Sequence, residues 1–419
     1  MQRVLKHLEN SIQNLMEVAI IGGGAAGFFS AIAVKENFPN ASVVIFEKSR
    51  RVLAKVKISG GGRCNVTNGE TNIPELCKAY PRGGQSLKKA FRTFSTGDTI
   101  EWFAKRGVPL VTQSDNCVFP ASQDSQTIID CFLREAKRLK ITIETGKGVK
   151  AINPIDQKLK IVFTNADIAP RQFHKVIVTT GGSPKREGLK WLEQLNHNIE
   201  TPVPSLFTFN IPNERVTKLM GVVVDNAQVS IQGTRLKSNG PLLITHWGMS
   251  GPAILKLSSY GARLLSEKEY NFTIQVNWVN EQNYEVVANK MLSLSQENPK
   301  KIIVNIRPYG LCSRLWIYLL EKAEIPANKK WGELGKKGVN KLTNLLTNDT
   351  YLVKGKSTFR DEFVTCGGVS LLDIDFTTMQ SKVCKNLYLA GEVLDIDAIT
   401  GGFNLQAAWT TAFIAGKLG

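Results

Sequence analysis

Val18-Ala-Ile-Ile-Gly-Gly-Gly-Ala-Ala-Gly27 is the stretch that decides the fold. An apolar run, Val18 to Ile21, leads into Gly22, Gly24 and Gly27, and Phe28 to Lys35 then reads as a helix. A second apolar run, Ser42-Val-Val-Ile-Phe46, ends at Glu47, twenty residues past Gly27. Strand, glycine turn, helix, strand and acid in that order make a dinucleotide-binding βαβ unit. Gly22 permits the tight turn, Gly24 lets the backbone approach a pyrophosphate, and Gly27 lets helix and strand pack closely. The helix N-terminus offers unpaired N–H groups and a positive dipole end to phosphates. Glu47 is placed to accept hydrogen bonds from ribose hydroxyls and disfavours a 2′-phosphate, so the site suits FAD or NAD better than NADP.

Outward from this unit, the pattern stays α/β as far as about residue 199. Residues 85–106 and 124–140 read as helices, and Ile141 to Thr145 and Lys158 to Thr164 as strands. Lys175-Val-Ile-Val-Thr-Thr-Gly-Gly182 reads as a buried strand returning to the sheet. From about 200 to 345 the texture changes. Pro202, Pro204 and Pro212 precede apolar runs at Val222, Val229-Ser-Ile231 and Phe272-Thr-Ile-Gln-Val276, and residues 311–346 turn helical and lysine-rich. No second Gly-x-Gly-x-x-Gly occurs there, so no dedicated nicotinamide domain is expected. The chain returns with Lys385-Asn-Leu-Tyr-Leu-Ala-Gly-Glu392, then Asp395, Asp397, Thr400-Gly-Gly402, and a helix from Asn404 to Lys417. That helix would direct its positive end toward a bound flavin. The organisation expected is a 1–16 extension, a discontinuous Rossmann-like FAD-binding domain over 17–199 and 346–419, and an inserted β-rich domain with a small helical part over 200–345. In the extension, Leu5, Leu8, Ile12 and Leu15 share one helical face.

Composition narrows the classes further. A chain of 419 residues with 42% hydrophobic content supports more than one packed module. No run approaches the ~20 apolar residues of a membrane span, and residues 1–15 lack the apolar core of a signal peptide. Seven cysteines without a Cys-x-x-Cys pair point to reduced thiols in the cytoplasm and to no metal site. The net charge is +17. Residues 1–200 carry 29 basic and 18 acidic side chains, 201–350 carry 18 and 11, and 351–419 carry 6 and 7. Basic clusters fall at Lys48, Arg50, Arg51, Lys55, Lys57 and Arg63; at Lys78, Arg82, Lys88, Lys89 and Arg92; and at Lys329, Lys330, Lys336, Lys337 and Lys341. Such a field attracts polyanions, nucleic acid among them.

Several blocks together resemble one bacterial family, the BaiN/RdsA-like flavoproteins of the two-dinucleotide-binding-domain superfamily. They are Gly22-Gly-Gly-Ala-Ala-Gly27, Lys57-Ile-Ser-Gly-Gly-Gly-Arg-Cys-Asn-Val-Thr-Asn68, Val118-Phe-Pro-Ala-Ser122, Thr245-His-Trp-Gly-Met-Ser-Gly-Pro252, Thr365-Cys-Gly-Gly-Val369 and Leu389-Ala-Gly-Glu-Val-Leu-Asp395 through Gly401-Gly-Phe-Asn-Leu-Gln406. The resemblance spans residues 17–419. It implies an FAD-dependent oxidoreductase that reduces a conjugated C=C bond, with NADH or NADPH as transient hydride donor. One branch implies 3-oxo steroid or bile-acid enones as substrate. The other implies a uridine of large-subunit rRNA, reduced to dihydrouridine, with rRNA or a ribosome precursor as partner. The charge favours the second. Two further readings stand beside these: a flavin monooxygenase, and a non-catalytic RNA-binding or redox-sensing flavoprotein.

The candidate cofactor-binding set is Gly22, Gly24, Ala25, Ala26, Gly27, Glu47, Lys48, Lys57, Gly61, Gly62, Arg63, Cys64, Asn65, Thr67, Thr180, Gly181, Gly391, Glu392, Asp397, Gly402, Asn404 and Leu405. Lys57 and Arg63 offer positive charge to pyrophosphate or flavin oxygens. A dithiol shuttle needs two thiols in contact, and after Cys64 the next cysteine is Cys77, so that chemistry is not expected. His246, whose imidazole can orient a substrate or donate a proton, and Cys366 are the candidate catalytic residues. Cys366 also departs from the family, which has a small residue in that slot.

Overall fold

The computed structural model describes residues 16–357 and 364–419; the expected helical face at Leu5, Leu8, Ile12 and Leu15 lies outside them. The described chain forms two compact units, one joining residues up to 204 to those from 360 on, the other spanning 205–359.

The first unit begins with β1 (Glu17–Ile21), α1 (Ala25–Asn37) and β2 (Ser42–Glu47). β1 and β2 pair in parallel, with Ala19 opposite Val44 and Ile20 opposite Ile45. Both strands are apolar on both faces, as a sheet covered on two sides requires. Helix α1 is buried from Ala26 to Val34, so it too is a core element. Helical signals at 85–106 resolve into α2 (Gly84–Phe91) and α3 (Thr96–Ala104). The break falls at Ser95, where Ser95 and Asp98 form a capping box that starts a new helix. α4 (Gln126–Arg138) and β3 (Thr142–Thr145) follow, with β3 parallel to β2. After an antiparallel three-stranded meander (149–173), β4 (Lys175–Val178) returns to the other side of β1. The chain thus reverses its direction of travel across the sheet between β1 and β4, which is the switch point where open α/β sheets bind ligands. β5 (Ile199–Ser205) leaves the sheet.

The second unit is an antiparallel sheet backed by helices. Its principal elements are β6 (Val223–Ile231), β7 (Lys237–Thr245), α5 (Pro252–Tyr260), β8 (Asn271–Asn277), α6 (Tyr284–Glu297), α7 (Ser313–Lys322), α8 (Gly335–Asn348) and β9 (Asp349–Lys354). β9 pairs with β8 across six residues, from Asn271–Lys354 to Val276–Asp349. The insert therefore runs past the expected 345, because its edge strand follows the lysine-rich helix. One buried cluster centres on Asp349, whose carboxylate accepts from Lys322 Nζ at 2.6 Å and Trp278 Nε1 at 3.0 Å and also from the Tyr351 hydroxyl.

On its return the chain adds β10 (Val364–Val369), which pairs with β5, then β11 (Leu387–Leu389) and α9 (Phe403–Ala415). β11 lies parallel to β4, so the parallel order is β11-β4-β1-β2-β3. α9 is buried on nearly every side and packs along α1; a Cβ on Gly416 would lie 2.5 Å from that of Ala33. The seven-stranded sheet is completed at its β11 edge by two short antiparallel strands, Ile374–Asp375 and Gln380–Ser381.

Candidate functional site

The carboxyl ends of β1, β2, β4 and β11 carry the predicted segments, and the glycines show why they can meet. Gly22 has φ +112°, and a Cβ there would sit 2.4 Å from the Thr179 carbonyl oxygen at the end of β4. A Cβ on Gly27 would sit 1.9 Å from the Gly22 oxygen, so only glycine lets α1 start this close to β1. Gly24 differs. Its backbone is extended, and a Cβ there would meet nothing within 4 Å. Packing does not explain that glycine; open space in front of the helix does. Ala25 and Ala26 form the first turn of α1, which has neither a capping side chain nor an acid. Its terminal N–H groups and dipole are left for an anionic guest.

Glu47 ends β2 under this turn. Its Oε2 accepts from Gly23 N and its Oε1 from Ser49 N, both at 2.8 Å. Each oxygen keeps a lone pair, so the carboxylate is fixed yet still able to take ribose hydroxyls. Lys48 beside it is exposed.

The block from Lys57 to Thr67 forms a glycine turn of left-handed residues. Gly61 and Gly62 have φ +67° and +85°, and Cβ atoms on either would meet nothing within 4 Å. Lys57 is exposed and pairs with Asp124 at 3.4 Å. The Arg63 guanidinium lies over the Phe119 ring at 4.2 Å. Cys64 is fully buried with φ +62°. Burial pushes its thiol up to about 12, with a hydrogen bond from Ser59 pulling weakly the other way. Such a thiol stays protonated and shielded. In folded protein at pH 8 a maleimide reagent is therefore expected to leave Cys64 unmodified while labelling exposed Cys312; peptide mass mapping checks this.

The Asn65 side chain accepts from Val118 N at 3.2 Å, and the buried Thr67 hydroxyl donates to Gln406 Oε1 at 2.5 Å. Gln406 was not singled out by the sequence reading, although it closes the last of the quoted blocks. It is fully buried, also accepts from Thr99 Oγ1 at 2.8 Å and donates to Thr410 Oγ1 at 3.0 Å, and so fixes the start of α9. Gly402, at φ +85°, caps α9; a Cβ there would lie 2.2 Å from the Thr67 oxygen. Asn404 clamps the preceding loop by bonding both N–H and carbonyl of Ala398, at 2.9 and 3.1 Å. Leu405 is half-buried. Like α1, α9 starts without a capping side chain or an acid.

At the end of β4, Thr180 is exposed and Gly181 has φ +72°. Gly391, at φ +79°, approaches Ala26 of α1, and its N–H donates to Thr411 Oγ1 at 2.9 Å. Glu392 accepts from Thr365 N at 2.9 Å and pairs with Lys55 at 3.0 Å. The strand β10 is thereby tied to the carboxyl edge. Cys366 on β10 is fully buried, followed by Gly367 and Gly368 at φ +108° and +142°. Asp397 is fully buried and binds Arg82 through both oxygens, with Arg82 Nε to Oδ1 at 2.6 Å. Its carboxylate is occupied by that cation. In the sequence Arg82 stands in a basic cluster, and spacing alone cannot pair residues 315 apart.

Most of the cofactor set thus gathers in the first unit. His246 belongs to the second. It is exposed in the turn between β7 and the short strand Gly248–Ser250, its ring against that of Trp247 at 4.2 Å between centroids. No helix among the described residues is long and apolar enough to cross a membrane.

Two curated proteins are similar to this chain over nearly its whole length. The chain is 26% identical over 413 residues to a 3-dehydro-bile acid Δ4,6-reductase of Clostridium scindens, covering 96% of this chain and 98% of that one. It is 28% identical over 412 residues to a ribosomal RNA dihydrouridine synthase of Haemophilus influenzae, covering 95% and 96%. Among solved structures, the 3-ketosteroid Δ1-dehydrogenase of Sterolibacterium denitrificans superposes with a TM-score of 0.50 at 11% identity, over 96% of this chain and 99% of that one. That last likeness is one of fold. The description "HI0933-like protein Rossmann domain" matches residues 16–418, and the chain belongs to that family.

Proposed function

We propose that this protein is an FAD-dependent oxidoreductase that reduces a conjugated C=C bond, and that the bond is the C5=C6 of a uridine in large-subunit rRNA. The observation that carries the cofactor reading is the open space at Gly24, just past the carboxyl end of β1 and beside the switch point of a parallel sheet. A bound flavin supplies the hydride chemistry.

The chain's own residues supply the rest. The N–H groups of Gly24 and of the first turn of α1 would hold the pyrophosphate, since those of Gly22 and Gly23 already donate to Phe46 and Glu47, and Glu47 would take the ribose hydroxyls. The first turn of α9 would offer its positive end to negative charge that develops on a bound flavin. Lys57 and Arg63 would offer further positive charge to the cofactor, and the Lys55–Glu392 pair ties the loop after β11. The neighbouring carbon of the reduced bond needs a proton; His246 of the second unit and Cys366 of the first are the two alternative donors we propose for it. NADH or NADPH is the assigned reductant.

The substrate reading is supported by the +17 charge, for which a neutral steroid gives no reason, and by the name of the Haemophilus relative. The test is direct. Large-subunit rRNA from cells lacking the gene is incubated anaerobically with the protein and NADH or NADPH, then mapped for dihydrouridine. One newly reduced uridine is the expected result. Unchanged rRNA, together with reduction of a 3-oxo-4-ene steroid under the same conditions, overturns the RNA substrate while leaving the enone chemistry in place.

A further inference from the structure

The three basic clusters of the sequence do not fare alike in the fold. In the first unit, four of the eleven cluster cations form ion pairs with described residues: Lys55 with Glu392, Lys57 with Asp124, Lys78 with Glu75, and Arg82 with Asp397. In the second unit, one of the five cations of the 329–341 cluster forms an ion pair with a described residue, Lys341 with Glu324 at 2.8 Å. The fold also enlarges this cluster. Ile303 N donates to Lys329 O at 2.8 Å, Trp331 N donates to Lys301 O at 3.0 Å, and Ile302 bridges Lys330. Two antiparallel segments distant in sequence are thus bonded backbone to backbone. They bring Lys300 and Lys301 beside Lys329 and Lys330, at the start of α8, whose first turn carries Lys336 and Lys337.

Lys300, Lys301, Lys330, Lys336 and Lys337 are exposed and Lys329 is half-exposed, and none of the six forms an ion pair with a described residue. Glu333 is nearby, but its carboxylate accepts from Lys330 N. Cations in the first turn of a helix oppose its dipole, and α8 has no acid there to offset them. Such a concentration of like charge is unfavourable in the isolated protein and becomes favourable when a polyanion neutralises it.

At the other end of the antiparallel α6–α8 pair lies a groove of about 270 Å³ whose lining carries no charged side chain, with Gln228, Gln275, Asn277, Gln282, Tyr284 and Asn348 among its walls. α6 has 14 residues, so groove and lysines are about 20 Å apart along the helices. Amide donors and acceptors beside an exposed tyrosine ring match the edges and faces of unpaired bases, and do not match lipid tails.

We infer that the α6–α8 side of the second unit is an RNA-binding face, on which Lys300, Lys301, Lys329 and Lys330 hold the phosphate backbone of a single-stranded segment. The inference rests on the RNA reading above and adds where the strand is held. The test uses the full-length, flavin-loaded protein and a variant carrying Lys300→Gln, Lys301→Gln, Lys329→Gln and Lys330→Gln. Affinity for a large-subunit rRNA transcript and for oligouridylate is measured across a salt series. Each phosphate contact on single strands contributes about −0.7 to the slope of log K against log salt, so the variant slope flattens by about 2–3 and affinity falls roughly 10- to 100-fold near physiological salt. Flavin content, and the rate of flavin reduction by a nicotinamide, stay at the wild-type level. A variant that binds both RNAs with wild-type affinity and slope, while the wild type makes dihydrouridine, overturns the face and leaves the substrate standing. A wild type that binds no RNA overturns both. Lysine-dependent binding to phosphatidylglycerol vesicles with no binding to RNA overturns the inference in favour of a membrane surface.

Discussion

A Gly24→Val variant is expected to be folded and to bind flavin roughly 10- to 100-fold more weakly than wild type. Gly24 has φ −92° and ψ −164°, a conformation any residue adopts, and a Cβ there touches nothing within 4 Å. Valine at such a position changes stability by only about 0.5 kcal/mol. Its branched side chain does, however, fill the space through which the backbone approaches a pyrophosphate. Overpacking costs about 1–3 kcal/mol, which is roughly 10- to 100-fold in cofactor affinity. Gly27→Ala is the contrasting control. Its Cβ would lie 1.9 Å from a backbone oxygen, so stability and flavin are lost together. Thermal unfolding of apoprotein and flavin titration of both variants check the pair. A Gly24→Val protein that binds flavin as tightly as wild type contradicts the placement of the cofactor.

The second large effect is on stability. Asp397→Ala leaves the Arg82 guanidinium, whose side chain is 11% exposed, without its carboxylate. Removing one partner of a buried ion pair costs about 3–5 kcal/mol, a large share of the ~5–15 kcal/mol that holds a typical domain together. At about 2–4 °C per kcal/mol the midpoint falls by roughly 6–20 °C. The double variant Arg82→Leu with Asp397→Leu removes both charges and is expected to recover more than half of the loss. Thermal denaturation of the three proteins checks this. A single variant as stable as wild type removes the pair from the account of the fold.

Local patterns made the first unit readable. Gly22, Gly24, Gly27 and Glu47 act within thirty residues of one another, and a tight turn leaves its mark in the glycines that it requires. The apolar run ending at Leu389 is equally local. The family resemblance joined these segments into one site; periodicity alone gave strands and helices. What stayed hidden depends on distant partners. Nothing near Ser95 announces a new helix except the capping pair with Asp98. Nothing near Asp349 says that its strand pairs with β8. Arg82 looks like surface charge until Asp397 meets it, and Gln406 looks like an ordinary helical residue until the Thr67 and Thr99 hydroxyls are seen to converge on it. The gathering of Lys300 and Lys301 with Lys329 and Lys330 is likewise a product of backbone pairing between segments almost thirty residues apart.

The absorbance spectrum of the purified protein, followed by anaerobic titration with NADH and NADPH, tests the central claim most directly. Bands near 370 and 450 nm that bleach with one equivalent of a nicotinamide, from a cofactor released on denaturation as about one FAD per chain, are the predicted result. A colourless protein that takes up no FAD on incubation contradicts it.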